Sequence, residues 1–100
     1  MARHFDLVPN PVRRGGTEPY LCVLQSDATA DRRTRVVAPV ALGMGEDPLS
    51  PALRHEGREY RVLLRGVTNL PTRLLGTAVG SAEAVRDEIT RGLDLLFLGV

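Results

Sequence analysis

Ser81-Ala82-Glu83-Ala84-Val85-Arg86-Asp87-Glu88-Ile89-Thr90-Arg91-Gly92-Leu93-Asp94-Leu95-Leu96-Phe97-Leu98-Gly99-Val100 closes the sequence and decides its fold class. Val85, Ile89, Leu93 and Leu96 recur at helical spacing and share one face. Arg86, Asp87, Glu88 and Arg91 mark the wet face. Ser81 is a good N-cap, Glu83 puts negative charge where the helix dipole favours it, and Gly99 stands where a helix stops. Gly92 has no side chain, so another backbone can approach the helix closely there. The spacing predicts a helix over about residues 81–98. The last six residues are nearly all apolar and need a surface to bury against, whether the domain's own core, a second copy of the chain or a target protein.

The residues upstream read as strands. Phe5 and Leu7 alternate with His4 and Asp6 until Pro9-Asn10-Pro11 breaks the run. Residues 13–19 hold Gly15-Gly16 and read as a loop. Tyr20-Leu21-Cys22-Val23-Leu24-Gln25 is almost continuously apolar, as expected of a strand covered on both faces. Residues 34–42 form a third, Val-rich strand, and Pro39 inside it lacks an N–H, so it belongs at an edge or a bulge. Residues 43–51, with two Gly and two Pro, form an irregular connection. Residues 53–67 read as a hairpin turning near Glu56-Gly57-Arg58, with Tyr60, Val62 and Leu64 on one face. Leu63 falls on the other face with Glu59, Arg61 and Arg65, so that face is partly covered too. Asn69-Leu70-Pro71 reads as a turn, and residues 72–75 as a last short strand ended by Gly76. Five or six strands followed by one helix give a mainly β domain: a small antiparallel barrel or twisted sheet with a C-terminal helix packed on it.

A chain of 100 residues is expected to form one domain, here 1–100, with room for one core. Its 10 Gly and 7 Pro suit strands and turns better than a helix bundle. The net charge is +1, from 13 basic and 12 acidic residues, and every basic residue is Arg. Arg13-Arg14 and Arg32-Arg33-Thr34-Arg35 are short clusters without interleaved aromatics, so direct nucleic-acid binding is not expected. Cys22 is the only cysteine and lies in an apolar run, which fits a reducing cytoplasm. No apolar run approaches the ~20 residues of a membrane span, and the first residues lack a signal-peptide layout.

No catalytic motif stands out. His4 and His55 are far apart in sequence and neither has a nearby Cys or His, so no metal site is expected. Gly15-Gly16-Thr17 has no following Lys and opens no helix, so it is not a phosphate loop. Glu46-Asp47 and Asp87-Glu88 read as solvated turn and helix faces rather than a catalytic carboxylate pair. No cofactor is implied. The sequence points to binding by surface.

The chain resembles the CcdB toxin family along nearly its whole length. The matching pieces are Phe5-Asp6-Leu7 with Asn10-Pro11, Pro19-Tyr20-Leu21, and Val23-Leu24-Gln25-Ser26-Asp27. Thr34-Arg35-Val36-Val37 with Pro39, Leu49-Ser50-Pro51 and Gly57-Arg58-Glu59-Tyr60 follow. Leu70-Pro71 with Leu75-Gly76 comes next, and then Ile89, Leu93-Asp94, Phe97 and Gly99-Val100. Each piece is weak alone, but their shared order and spacing are fairly specific.

The resemblance implies an SH3-like barrel with a C-terminal helix, acting as a homodimer. It implies a toxin, not an enzyme, that binds the DNA gyrase A subunit, traps its cleavage complex, and is neutralised by a CcdA-like antitoxin. Residue by residue it implies a gyrase-binding set of Asp94, Leu98, Gly99 and Val100, with the loop residues Ala28 and Thr29 contributing. The family's best-known gyrase poisons carry Trp where this chain has Leu98, and branched apolar residues where it has Ala28 and Thr29. Two alternatives stay open. One is an endoribonuclease toxin of the same fold, for which Arg32 or Arg35 with Asp31 are the candidates. The other is a non-toxic homologue that only binds antitoxin.

Overall fold

The computed structural model describes residues 3–11, 16–25, 33–43 and 45–99. Among these, the chain runs through β1 (Asp6–Pro9), β2 (Tyr20–Val23), β3 (Thr34–Leu42), β4 (Ala52–His55), β5 (Arg58–Val62), β6 (Thr68–Pro71) and β7 (Gly80–Ser81), then helix α1 (Arg86–Leu98). All pairings are antiparallel, in the order β4-β5-β3-β2-β1-β7, with β6 also on β3. The result is the mainly β architecture expected: a nearly closed barrel carrying one C-terminal helix.

β3 is the spine, and Pro39 explains how it works. One side of β3 pairs with β2, with Leu21 opposite Pro39. The other side pairs with β6 through residues 34–37 and with β5 through residues 40–42. Pro39 falls where the second side changes partners. The Pro39 carbonyl accepts the Leu63 N–H on that side at 2.8 Å, and no ladder bond is lost to the missing N–H. Gly66 lies over the proline ring, close enough that an added Cβ would meet its Cγ and Cδ at 3.0 Å.

The β4–β5 hairpin turns through Glu56 and Gly57 at φ 51° and 77°, the two positive angles of a two-residue type I′ loop. β2 is covered on both faces, as its apolar run requires. Cys22 and Leu24 join the main core with Leu7, Val40, Tyr60, Val62 and Leu64. Leu21 and Val23 join Val8 and Val37 in a second cluster under Leu70 and Leu75. Ile89 of α1 is fully buried in the main core, with Val85, Leu93 and Leu96 packed beside it. That burial contributes about 1.5–3 kcal/mol for Ile89 alone.

Two readings of the sequence are corrected. Asn69-Leu70-Pro71 is not a turn but part of β6, and residues 72–75 are not a strand, since Thr72–Leu74 form a single 3₁₀ turn. Thr68 and Asn69 are exposed, so the strand shows no apolar alternation; its register with β3 creates it, not its composition. The helix also starts later than expected. Ser81 is held in β7 opposite Asp6, a 3₁₀ turn covers Glu83–Val85, and α1 begins at Arg86. Ser81 Oγ accepts the Glu83 N–H at 3.1 Å, so it caps the turn before the helix.

Candidate functional site

The end of α1 combines inward and outward apolar residues. Leu93 and Leu96 rest on the core, whereas Phe97 and Leu98 are 69% and 71% exposed. Gly99 ends the helix in the left-handed region at φ 70°, its N–H bonded to the Leu95 carbonyl at 3.0 Å. Asp94 is exposed one turn before Leu98, on the same side of the helix. The structure thus gathers Asp94, Leu98 and Gly99 at one tip. Val100, Ala28 and Thr29 lie outside the described residues. Phe97 belongs to the tip as well. Sequence reasoning did not assign it to the site: four residues after Leu93, it falls at the spacing of the buried face, and only the structure shows it exposed.

A groove of about 780 Å³ runs beside the helix, between α1 and the segment from Glu46 to Ala52. It exists because Gly92 lets that segment approach: a Cβ there would stand 2.7 Å from the Pro48 carbonyl oxygen and would collide with Leu64. Arg61 ties the segment down, donating to the Ser50 carbonyl at 3.2 Å and to the Gly45 carbonyl, and pairing with Glu59 at 3.1 Å. Asp47 accepts from the Leu49 N–H at 3.0 Å, from Ser50 Oγ at 3.2 Å and from Arg65 at 2.8 Å. The Arg65 bond, helped by the Leu49 N–H, holds its carboxyl below the usual carboxylate range. The groove was not legible in the sequence, because its walls come from segments some 40 residues apart whose contact only the fold creates.

The other polar residues singled out are structural. Arg35 is 3% exposed and donates to the Thr34 carbonyl at 2.9 Å; Asp31 and Arg32 lie outside the described residues. His4 stacks on Phe5 at 3.7 Å, and His55 packs edge-on to Tyr20 at 5.0 Å. Burial, with the Asp6 charge adding, pushes the Cys22 thiol up to about 12. Among the described residues no group of three His, Cys, Asp or Glu is placed to hold a metal ion, and no helix is long and apolar enough to cross a membrane. The arrangement offers apolar surface with a carboxylate beside it, which suits recognition of another macromolecule.

Compared with known proteins, residues 4–99 match the family model described as CcdB protein. No curated protein matches the chain.

Proposed function

The chain belongs to the CcdB family, and from that premise we propose that it is the toxin of a type II toxin–antitoxin module. In this reading it acts in the cytoplasm as a homodimer, binds the DNA gyrase A subunit, and traps the enzyme's cleaved complex with DNA. A cognate CcdA-like antitoxin neutralises it. The observation that carries the reading is the tip of α1. Phe97 and Leu98 stand out of the core while their neighbours Leu93 and Leu96 are packed into it. Exposed apolar side chains on a domain with a complete core mark a binding surface. Asp94, Leu98, Gly99 and Val100 are the proposed contact set, with Ala28 and Thr29 as the contributing loop. The buried position of Arg35 counts against the ribonuclease reading.

The mechanism is one of wedging rather than bond chemistry. A poison of this kind binds the cleaved state more tightly than the resealed one and so shifts the population toward it. Leu98 supplies apolar area without a π face. Leu98→Trp should therefore tighten gyrase binding through stacking and cation–π contact by about 0.5–2 kcal/mol, roughly 2- to 30-fold. The test is a pull-down and a cleavage-complex assay on purified gyrase with the wild type, a variant lacking residues 98–100, and Leu98→Trp. The truncated variant should lose both signals and keep its fold, and Leu98→Trp should exceed the wild type. Equal behaviour of all three would remove the tip from the mechanism.

A further inference from the structure

We propose that residues 3–6 form a strained clamp that holds residues 79–85, the root of α1, on the barrel, and that clamp and root open together as one unit while the rest of the barrel stays folded. The strain sits at Phe5. The Asp6 N–H donates to the Arg3 carbonyl at 2.9 Å, so residues 3–6 close a β-turn with Phe5 in its third place. Its φ is 68°, in the left-handed region where such turns take Gly or Asn. A bulky L-residue adopts that angle only where its surroundings impose it. Three contacts do so here. The Phe5 ring is buried in the main core, and the His4 ring stacks on it at 3.7 Å. The Arg3 N–H donates to Asp6 Oδ2 at 2.7 Å. Strain of this kind shifts the balance toward the open form by about 5- to 150-fold.

The backbone bonds of Phe5 show what the clamp secures. Its N–H donates to the Val23 carbonyl at 2.7 Å, at the end of β2, and its carbonyl accepts the Ala82 N–H at 2.8 Å. Ala82 precedes the 3₁₀ turn that leads into α1, and its own carbonyl accepts the Val85 N–H at 3.0 Å. The root is otherwise lightly held. β7 is two residues long and pairs with Asp6 and Leu7, and the Val79 N–H donates to the Leu7 carbonyl at 2.8 Å. The turn at Glu83–Val85 has no fully buried residue. The backbone attachments of residues 79–82 thus run to residues 5–7, and a clamp that relaxes lets the root go with it. Further along α1, Ile89 is fully buried and Gly92 lies close against Leu64 and Pro48, so the opening stops within the first turns of the helix. The inference concerns the free protein and stands apart from the gyrase reading.

Native-state hydrogen exchange on the full chain, read by NMR, tests it. The Phe5, Val79 and Ala82 amides should share one protection factor, at least about 10-fold below that of the Val62 and Leu63 amides, which are bonded within the barrel. Asp6→Ala removes the acceptor of the Arg3 N–H and keeps the backbone pairing with Ser81. It should lower the protection of Val79 and Ala82 by about 3- to 10-fold and leave Val62 and Leu63 unchanged. Phe5→Gly and Phe5→Ala both delete the ring and differ in their tolerance of the positive φ. Relative to Leu63, Ala82 should be about 3- to 10-fold better protected in Phe5→Gly than in Phe5→Ala. Equal protection in that pair, or better protection in Phe5→Ala, would show that Phe5 carries no strain and overturns the proposal. So does an Ala82 amide that exchanges only as fast as Leu63, or one indifferent to Asp6→Ala. If the Phe5 variants do not fold, the wild type and Asp6→Ala decide the matter.

Discussion

His55 and Gly80 meet across the seam of the barrel. They belong to β4 and β7, the two ends of the strand order. A Cβ built on Gly80 would stand 2.7 Å from His55 Cε1, 2.8 Å from Nδ1 and 3.3 Å from a Leu7 methyl. The imidazole has little room to retreat, with Tyr20 edge-on at 5.0 Å and Tyr60 at 6.1 Å. Gly80→Ala should therefore cost about 1–3 kcal/mol by overpacking. Urea unfolding measures it. His55→Ala combined with Gly80→Ala should be less damaging than the two losses added, with a coupling of about 0.5–3 kcal/mol. Simple additivity would show that the seam tolerates the extra methyl by moving elsewhere.

Gly92 makes a second test of close approach. In an isolated helix Gly→Ala gains about 1 kcal/mol. Here the added methyl meets the Leu64 side chain and, at 2.7 Å, the Pro48 carbonyl oxygen. A backbone carbonyl cannot rotate away as a side chain tip can, and the segment bearing it is pinned by Arg61. The clash should outweigh the propensity gain, and Gly92→Ala should lower the urea midpoint. A raised midpoint would mean that residues 46–52 shift freely and that the groove has no fixed width.

Much of this architecture was legible because local chemistry and fold agree. The β4–β5 turn, the two-sided burial of β2, the extent of β3 and the buried face of α1 each follow from turn residues or apolar spacing. The misread segments were those whose state is set from outside. β6 begins with the polar, exposed Thr68 and Asn69 and is held as a strand by its pairing with β3, and Ser81 is drawn into β7 by pairing with β1. At the tip, Leu98 could be picked from the sequence but its 71% exposure could not, since apolar composition alone predicts burial. The groove's charge balance depends on which ion pairs form, and spacing in the sequence carries no such information.

Asp47 should contribute to acid sensitivity. Its carboxyl is held below the usual range in the folded protein, chiefly by the bond from Arg65 and next by the Leu49 N–H. A depressed folded value means the contribution is present above the unfolded value, about 3.9, and is lost as pH falls through the folded one. Stability measured in urea should fall between pH 5 and pH 2–3 more steeply in the wild type than in Asp47→Asn. Parallel pH profiles would show the Arg65 pair to be energetically silent, as many exposed pairs are.

Cys22 should be inert while the protein is folded. It is fully buried and its thiol is pushed up to about 12, so almost no thiolate forms at neutral pH. A disulfide reagent should label it only as fast as the barrel opens, and urea should accelerate the reaction in step with unfolding. Because the folded value is raised, the thiol's contribution is intact below its unfolded value and weakens as pH rises toward 12. Labelling at the rate of a small free thiol at pH 7 would place the residue outside the core.

Ile89 and Leu98 lie on one helix and should separate stability from recognition. Ile89 is wholly buried in the main core, and truncation to Ala removes buried apolar contacts and leaves a cavity. Ile89→Ala should cost about 2–5 kcal/mol. Leu98 is 71% exposed, and Leu98→Ala should change stability by no more than about 0.5 kcal/mol, the range of surface substitutions. In gyrase binding the order reverses. At a temperature where both variants remain folded, Ile89→Ala should bind nearly as well as the wild type, and Leu98→Ala should bind more weakly. Urea titration and a pull-down on the same preparations give both readings. Loss of gyrase binding in Ile89→Ala alone would move recognition off the helix tip and onto a surface that the core holds in shape.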